Sequence, residues 1–497
     1  MTRAVLHIAA YVYLCILAML PGLGHAQYFG KNTVRWKTFD TKVLRTEHFD
    51  IYYYDEIAEH IDLIAQLAER WNSRLSMVLD HELTQRQPLI LYASHPHFRQ
   101  TNTAPADIGE GTGGFTEIFR NRVVMPFAGT LGETDHVLGH ELVHAFQFNM
   151  TGRATDPDRF GNIPGAIRLP LWLVEGMAEY LSLGPHDSLS AMWLRDLVAR
   201  EVTVDTRRLR HPRFQPYRHG HGLMAYIAGR FGDGAMGELL VEAAAANGNI
   251  GGAFEVALGI NLEELLEDWD EALRAHYGPM LEHAQAAEDL GRVLRPGLDD
   301  DLPRFQLGPA LSPDGRRLIY LAQPDRLSLE LYLMDVETGE IIRRITRAAL
   351  DPHFEALQFV RSSGDWSPDG ERFVFAAIRR GQPVLEIVHG HTGGSIATHE
   401  FPALGEIFNA AWSPDGQRIA FSGMRHGLSD LYVFDLQTQE LTRLTDDVHS
   451  ALQPAWAPNG QHIAFVTDRF SVDPDRLAAH HHNLALIDPA SGEITRL

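Results

Sequence analysis

One phrase recurs four times in the last two-fifths of the chain, and it restricts the fold more than any other feature. The copies read "ALSPDGRRLIYLA" from Ala310, "DWSPDGERFVFAA" from Asp365, "AWSPDGQRIAFSG" from Ala411 and "AWAPNGQHIAFVT" from Ala455. With Ser312, Ser367, Ser413 and Ala457 as phase markers, the steps are 55, 46 and 44 residues. Each copy is a Pro–Asp/Asn–Gly turn feeding a strand of alternating polarity. A second strand follows, as in "ELYLMDVETGE" and "DLYVFDLQTQE", and then "IRRIT" or "LTRLT". About four strands per 44–55 residues, with turn, strand order and phase repeating together, describe β-propeller blades.

These copies resemble the blades of TolB-type propellers, which carry a "WSPDG" turn and an "LYVxD" strand. The resemblance covers roughly residues 300–497. Such propellers usually have more than four blades, so it implies a truncated chain, or else an unusual open or four-bladed assembly.

The preceding sequence differs in kind. Between Gln27 and about Pro296, strands are expected at His48–Glu56 and Gln87–Ser94. Two short strands are expected within Gly111–Gly129 around the turn Arg120–Arg122. Helices are expected over Ile57–Leu79 and roughly 134–150, 171–183, 188–201, 219–231, 234–246 and 262–276. The fold class is multidomain: an α+β domain followed by an all-β propeller. The division expected is 1–26, 27–296 and 297–497.

Residues 1–26 have the form of an export signal. Arg3 precedes the apolar run "AVLHIAAYVYLCILAML", and "PGLGHA" places Gly24 and Ala26 before a cut at Gln27. This predicts a periplasmic or extracellular protein without a membrane span once the signal is cleaved. Cys15, the only cysteine, lies inside that run. The mature chain then has no disulfide and no thiolate ligand, so a metal would need His and carboxylate donors. With 43 Lys and Arg against 65 Asp and Glu, the formal charge is −22. Nucleic acid is not an expected partner.

"HVLGHELVHAFQF" (His136–Phe148) contains the pattern H-E-x-x-H at His140, Glu141 and His144. On a helix, residues i and i+4 share a face, so two imidazoles can reach one ion while Glu141 lies near a water on it. His136 stands eight residues before His144, about 12 Å along a helix axis. One ion cannot take all three histidines, and His136 is read as a polar neighbour of the site. Downstream, "LPLWLVEGMAEYLS" (Leu169–Ser182) sets Glu175 and Glu179 in an otherwise apolar helix. A buried carboxylate needs a cation or hydrogen-bond donors. Glu179 is suited to receive the outer N–H of a ligand histidine.

"HELVH" followed by "WLVEGMAEY" resembles the gluzincin metallopeptidases of the peptidase MA-like clan, over roughly residues 27–280. The resemblance implies a zincin-like domain with one Zn2+ ion held by His140, His144 and Glu175, Glu141 as base, and Glu179 supporting a ligand histidine. "PYRHGHG" (Pro216–Gly222) resembles the segment where aminopeptidase-like members carry an oxyanion-stabilising tyrosine, implying that role for Tyr217. His219 and His221 are the alternative donors, since thermolysin-like members use a histidine. No amine-binding "GAMEN" motif is present, so aminopeptidase specificity is not implied. "GGFTEIFRNRVVMPF" precedes the helix where gluzincins pair a strand with extended substrate; an ordinary edge strand is an equal reading.

Two further motifs carry no chemistry. "GEGTGG" (Gly109–Gly114) lacks the Lys-Ser/Thr of a phosphate loop, and no G-x-S-x-G elbow accompanies the propeller. "AHHHN" (Ala479–Asn483) reads as a solvated loop, because consecutive side chains on an extended chain point opposite ways. The function expected is an exported zinc peptidase acting on a peptide or protein, with the propeller recruiting substrate or a protein partner. The competing expectation is a non-catalytic envelope binding or scaffold protein that uses the propeller.

Overall fold

A computed structural model describes residues 35–104, 108–109, 111–118, 120–152, 168–211, 213–246, 249–285, 287–292, 294, 306–323, 329–346, 356–357, 364–478 and 481–497. The export-signal reading of 1–26 falls outside these residues, as do 153–167 between the two motif helices.

The N-terminal region is α/β. Its sheet has the order β1 (Lys42–Arg45), β2 (Phe49–Tyr53), β3 (Gln87–Tyr92), β5 (Arg122–Pro126), β4 (Phe115–Glu117). β2, β3 and β5 run parallel, while β1 and β4 are antiparallel edges. α1 (Ile61–Leu79) buries Ile61, Ile64, Ala68, Trp71, Leu75 and Leu79, a stripe at helical spacing. α2 (Leu131–Thr151) begins where Thr130 Oγ1 accepts the Glu133 N–H at 3.0 Å. Thr130-x-x-Glu133 has the pattern of a capping box.

The longer helices that follow are α3 (Leu171–Leu183), α4 (Ser188–Ala199), α5 (Pro216–Phe231), α6 (Ala235–Ala245), α7 (Ile250–Leu258) and α8 (Leu262–Leu281). One core joins residues of β2, β3, β5 and every one of these helices.

Several boundaries differ from expectation. The helix expected from Ile57 opens as a 3-10 turn, Asp55–His60, and becomes α-helical at Ile61. The helix expected from 219 starts at Pro216, since Pro is suited to a first turn with no N–H to satisfy. β1 and α7 were not expected. β1 is exposed along most of its length, and α7 contains two glycines that weaken helical periodicity.

The C-terminal part consists of antiparallel, propeller-like blades. Blade one is β6 (Gln306–Leu311), β7 (Arg317–Ala322), β8 (Glu330–Asp335) and β9 (Ile341–Arg344). Blade two is β10 (Ala356–Leu357), β11 (Asp365–Trp366), β12 (Arg372–Arg379), β13 (Gln382–His389) and β14 (Ser395–Glu400). Blade three is β15 (Glu406–Trp412), β16 (Arg418–Arg425), β17 (Leu428–Asp435) and β18 (Leu441–Arg443). Blade four is β19 (Ala451–Trp456), β20 (Ile463–Thr467), β21 (Asn483–Ile487) and β22 (Ile494–Arg496).

The repeated phrase has a repeated physical cause. Ser312, Ser367 and Ser413 each donate through Oγ to the aspartate two residues on, and each Oγ accepts the N–H of the residue five on at 2.9 Å. Gly315, Gly370, Gly416 and Gly460 close these turns at φ of 67–72°, where a Cβ would be strained. Between blades, the Arg372 guanidinium stacks on Trp412 at 4.5 Å and Arg418 on Trp456 at 4.7 Å. His481 and His482 of the histidine run are exposed; Ala479 and His480 lie outside the described residues.

Candidate metal centre

α2 and α3 pack against each other and bring the two motifs together. His140 Nε2 lies 3.2 Å from Glu175 Oε2, His144 Nε2 lies 3.3 Å from that oxygen, and the two Nε2 atoms are 3.2 Å apart. A tetrahedral ion with bonds near 2.0 Å has edges of about 3.3 Å. The three donor atoms thus form one face of such a tetrahedron.

The atoms behind these donors are held as well. His140 Nδ1 is 3.1 Å from Glu179 Oε1, whose other oxygen accepts from Arg218 at 2.9 Å. His144 Nδ1 donates to Gln147 Oε1 at 2.8 Å, and Gln147 Nε2 donates to the Val174 carbonyl at 3.0 Å. This pairing leaves each Nε2 free to face an ion. His136 Nε2 lies 3.6 Å from Glu179 Oε1, beside the triangle and not in it.

Glu141, 5% exposed, adjoins edge strand β4. Thr116 Oγ1 stands 2.8 Å from both Glu141 Oε2 and the Glu141 carbonyl oxygen. Gly114 leaves room for the carboxylate: a Cβ there would sit 3.1 Å from Glu141 Oε1. Tyr217, in the first turn of α5, is 40% exposed and lays its ring on that of His140, centroids 6.0 Å apart.

The charges favour a cation. Burial opposes protonation of His140, but hydrogen bonds to Glu175 and Glu179 outweigh it and push its pKa up to about 10. Burial opposes His144 in the same way, and Glu175 raises it. Burial would raise Glu175, yet the two histidines bring it down to about 2. Glu179 is held low, against burial, by His136 and His140. Burial, then the charges of Glu175 and Glu141, raise Tyr217. Glu175 and Glu179 thus favour positive charge on the facing imidazoles. A divalent cation would supply that charge in their place, so the donor set fits zinc.

The two alternative oxyanion donors lie elsewhere. His219 Nδ1 accepts the Gln215 N–H at 3.0 Å, and its ring packs on Phe214 and Trp193. His221 Nε2 pairs with the Gly184 carbonyl at 2.8 Å. Both are 2% exposed and hold α5 to its neighbours. His219, two positions after Tyr217, points to another helix face, whereas His221, one turn on, is drawn aside by its pairing with the Gly184 carbonyl.

Besides Thr116, Gly114 and Gln147, other residues that the motifs did not single out shape this site. Gly176 and Gly220 let α3 and α5 touch: a Cβ at Gly176 would fall 2.5 Å from the Gly220 carbonyl carbon. That contact seats Tyr217 and Arg218 over Glu175 and Glu179. Arg218 also reaches Asp187 at 3.3 Å, and Asp187 caps α4. A glycine inside each of two helices, near a carboxylate and a tyrosine, was the available signal.

Residues 356–472 match the TolB beta propeller domain family. No curated protein matches the chain. Among solved structures it is similar to TolB from Acinetobacter baumannii, 24% identical over 39% of this chain and 43% of that one, with a TM-score of 0.31. It is also similar to a putative TolB from Agrobacterium tumefaciens (20% identical, 38% and 63% covered, TM-score 0.31). A third is a puromycin-hydrolysing peptidase from Mycobacterium tuberculosis (19% identical, 39% and 29% covered, TM-score 0.29). The chain spans less than two-thirds of each of these proteins. The class is therefore a chain with an N-terminal α/β region and a C-terminal TolB-type β-propeller domain. The reading of the N-terminal region rests on its own residues.

Proposed function

We propose that this chain is a zinc-dependent peptidase of gluzincin type, and the observation that carries the reading is the 3.2–3.3 Å triangle of His140, His144 and Glu175 donor atoms. These residues would hold one Zn2+ ion, which would supply Lewis acidity toward a peptide carbonyl and acidify a water molecule. Glu141 takes the proton from the attacking water and delivers it to the leaving amine. Thr116 fixes the orientation of that carboxylate. Tyr217, kept protonated by its surroundings, donates its hydroxyl to the oxygen on which negative charge develops. Glu179 and Gln147 hold the His140 and His144 imidazoles by Nδ1, so that each Nε2 would be free for the ion. Edge strand β4, beside Glu141, offers backbone groups to an extended substrate.

The propeller serves recognition of substrate or of a protein partner, a role supported by its match to the TolB domain family. Together with the signal-like first 26 residues, that match supports a periplasmic setting. Among the described residues, no helix is long and apolar enough to cross a membrane.

The test is metal content beside peptide cleavage for the wild type and Glu141→Gln. One zinc per chain in both, with cleavage lowered about 10²–10⁴-fold in the variant, is expected. Intact zinc with undiminished cleavage would overturn the mechanism. Absence of zinc from the wild type would favour the binding-protein reading.

A further inference from the structure

The propeller reaches the metal-bearing helix at two points. The first is the loop between β5 and α2. Leu428, at the start of β17, forms a parallel bridge to Gly129, and the Ser429 N–H donates to the Gly129 carbonyl at 2.9 Å. Ser429 Oγ donates to the same carbonyl, from a side chain with no exposure. Gly129 immediately precedes Thr130, the cap of α2.

The hairpin that presents Ser429 is shaped for this contact. Between Arg425 and Leu428 it turns through His426 and Gly427, at φ of 57° and 93°. Such a two-residue turn matches the twist of its strands. A Cβ on Gly427 would lie 2.5 Å from the Phe127 ring, and His426 pairs with Glu59. A Cβ on Gly129 would meet Ser429 Oγ at 2.7 Å.

The second point lies one turn further along α2. The loop after β20 presents the Leu477 carbonyl to Arg70 of α1, and Arg70 Nη2 donates to both oxygens of Asp135 at 2.6 Å. Asp135 also accepts from Trp71 Nε1 at 2.7 Å. The Trp71 ring lies against Gly139, where a Cβ would fall 2.6 Å from Cε2. Gly139 directly precedes His140.

We propose that blades three and four hold the first turns of α2, through Ser429 on Gly129 and through Leu477, Arg70 and Asp135, so that propeller contacts set metal affinity. The inference rests on the metal reading of His140, His144 and Glu175. α2 carries both histidines while Glu175 stands on α3, so a small tilt of α2 spoils the donor triangle. Ser429, Arg70 and Asp135 are positioning residues that touch neither ion nor substrate. A ligand or partner that moved the β16–β17 hairpin would then be felt at the metal.

The test uses the full chain with Co2+ as the probe, titrated against a chromophoric chelator, and amide hydrogen exchange of the metal-free protein. Ser429→Ala should weaken Co2+ binding about fivefold and speed exchange at Ala128, Glu133 and Thr134 by a similar factor, the usual effect of one lost hydrogen bond. Ser413→Ala is the control: it removes an equally buried hydroxyl of blade three, in the turn before β16, and should leave both readouts unchanged. Gly129 sits at φ 85°, where a Cβ is strained in itself. Gly129→Ala should weaken binding, and the loss it adds should be smaller, though not absent, in the Ser429→Ala background, which lacks the Oγ it strikes. Wild-type exchange and affinity in Ser429→Ala would overturn the inference, as would equal losses in Ser413→Ala. If the wild type takes up no Co2+, the proposed function falls, and the affinity claim falls with it.

Discussion

His97 shows what burial does to one group. It is 8% exposed, its Nδ1 is 2.9 Å from the Tyr54 hydroxyl, and burial lowers its pKa to about 4. His219, 2% exposed, is lowered to about 4 for the same reason. Above about pH 6.5 these rings are neutral in both folded and unfolded chains. Between about 6.5 and 4, the unfolded chain binds protons that the native rings refuse, so stability falls as pH falls. Each such histidine contributes a slope approaching about 1.4 kcal/mol per pH unit in that window. Urea unfolding at several pH values should show the loss, and His97→Gln should remove about one proton from the slope. An unchanged slope would mean that His97 accepts its proton while folded.

At the scale of elements, the contact between α3 and α5 decides whether the site assembles. Gly220 has no room for a methyl group either: its Cβ would lie 2.6 Å from the Trp172 carbonyl oxygen. Gly176→Ala or Gly220→Ala should therefore cost about 1–3 kcal/mol, as overpacking does. Because α5 carries Tyr217 and Arg218, either change should also slow the proposed peptide cleavage more than Leu171→Ala on the exposed first turn of α3. Urea midpoints and kcat together check this. A loss of stability with unchanged kcat would dissociate the glycine contact from the site.

At the scale of the molecule, the two parts share a core. Phe408, Met424 and Leu452 from blades three and four belong to the same buried cluster as Leu138 and Leu142 of α2. Unfolding followed by probes in either part should therefore coincide. Met424 is 2% exposed, so Met424→Asp buries a charge without a partner and should lower both midpoints together, by about 3 kcal/mol or more. Separate transitions, with only the propeller affected, would show that the shared cluster does not couple them.

Much of the architecture was legible because it depends on short-range rules. The Ser–Pro–Asp–Gly turns are closed by hydrogen bonds within five residues, so four copies of the phrase announce four blades. His140, Glu141 and His144 were legible because helical geometry alone puts i and i+4 on one face. What neighbours in sequence could not reveal were contacts across long separations. Arg218 on Glu179 and Gly176 against Gly220 were of this kind. His219 and His221 share a motif with Tyr217, and only the packing of α5 turned them from the donor triangle of His140, His144 and Glu175. The sequence by itself determined which groups could bind an ion, since donor chemistry belongs to side chains. Only the tertiary structure decided that Glu175 Oε2 meets both Nε2 atoms and that the propeller grips the start of α2, because each needs surfaces far apart in the chain to pack.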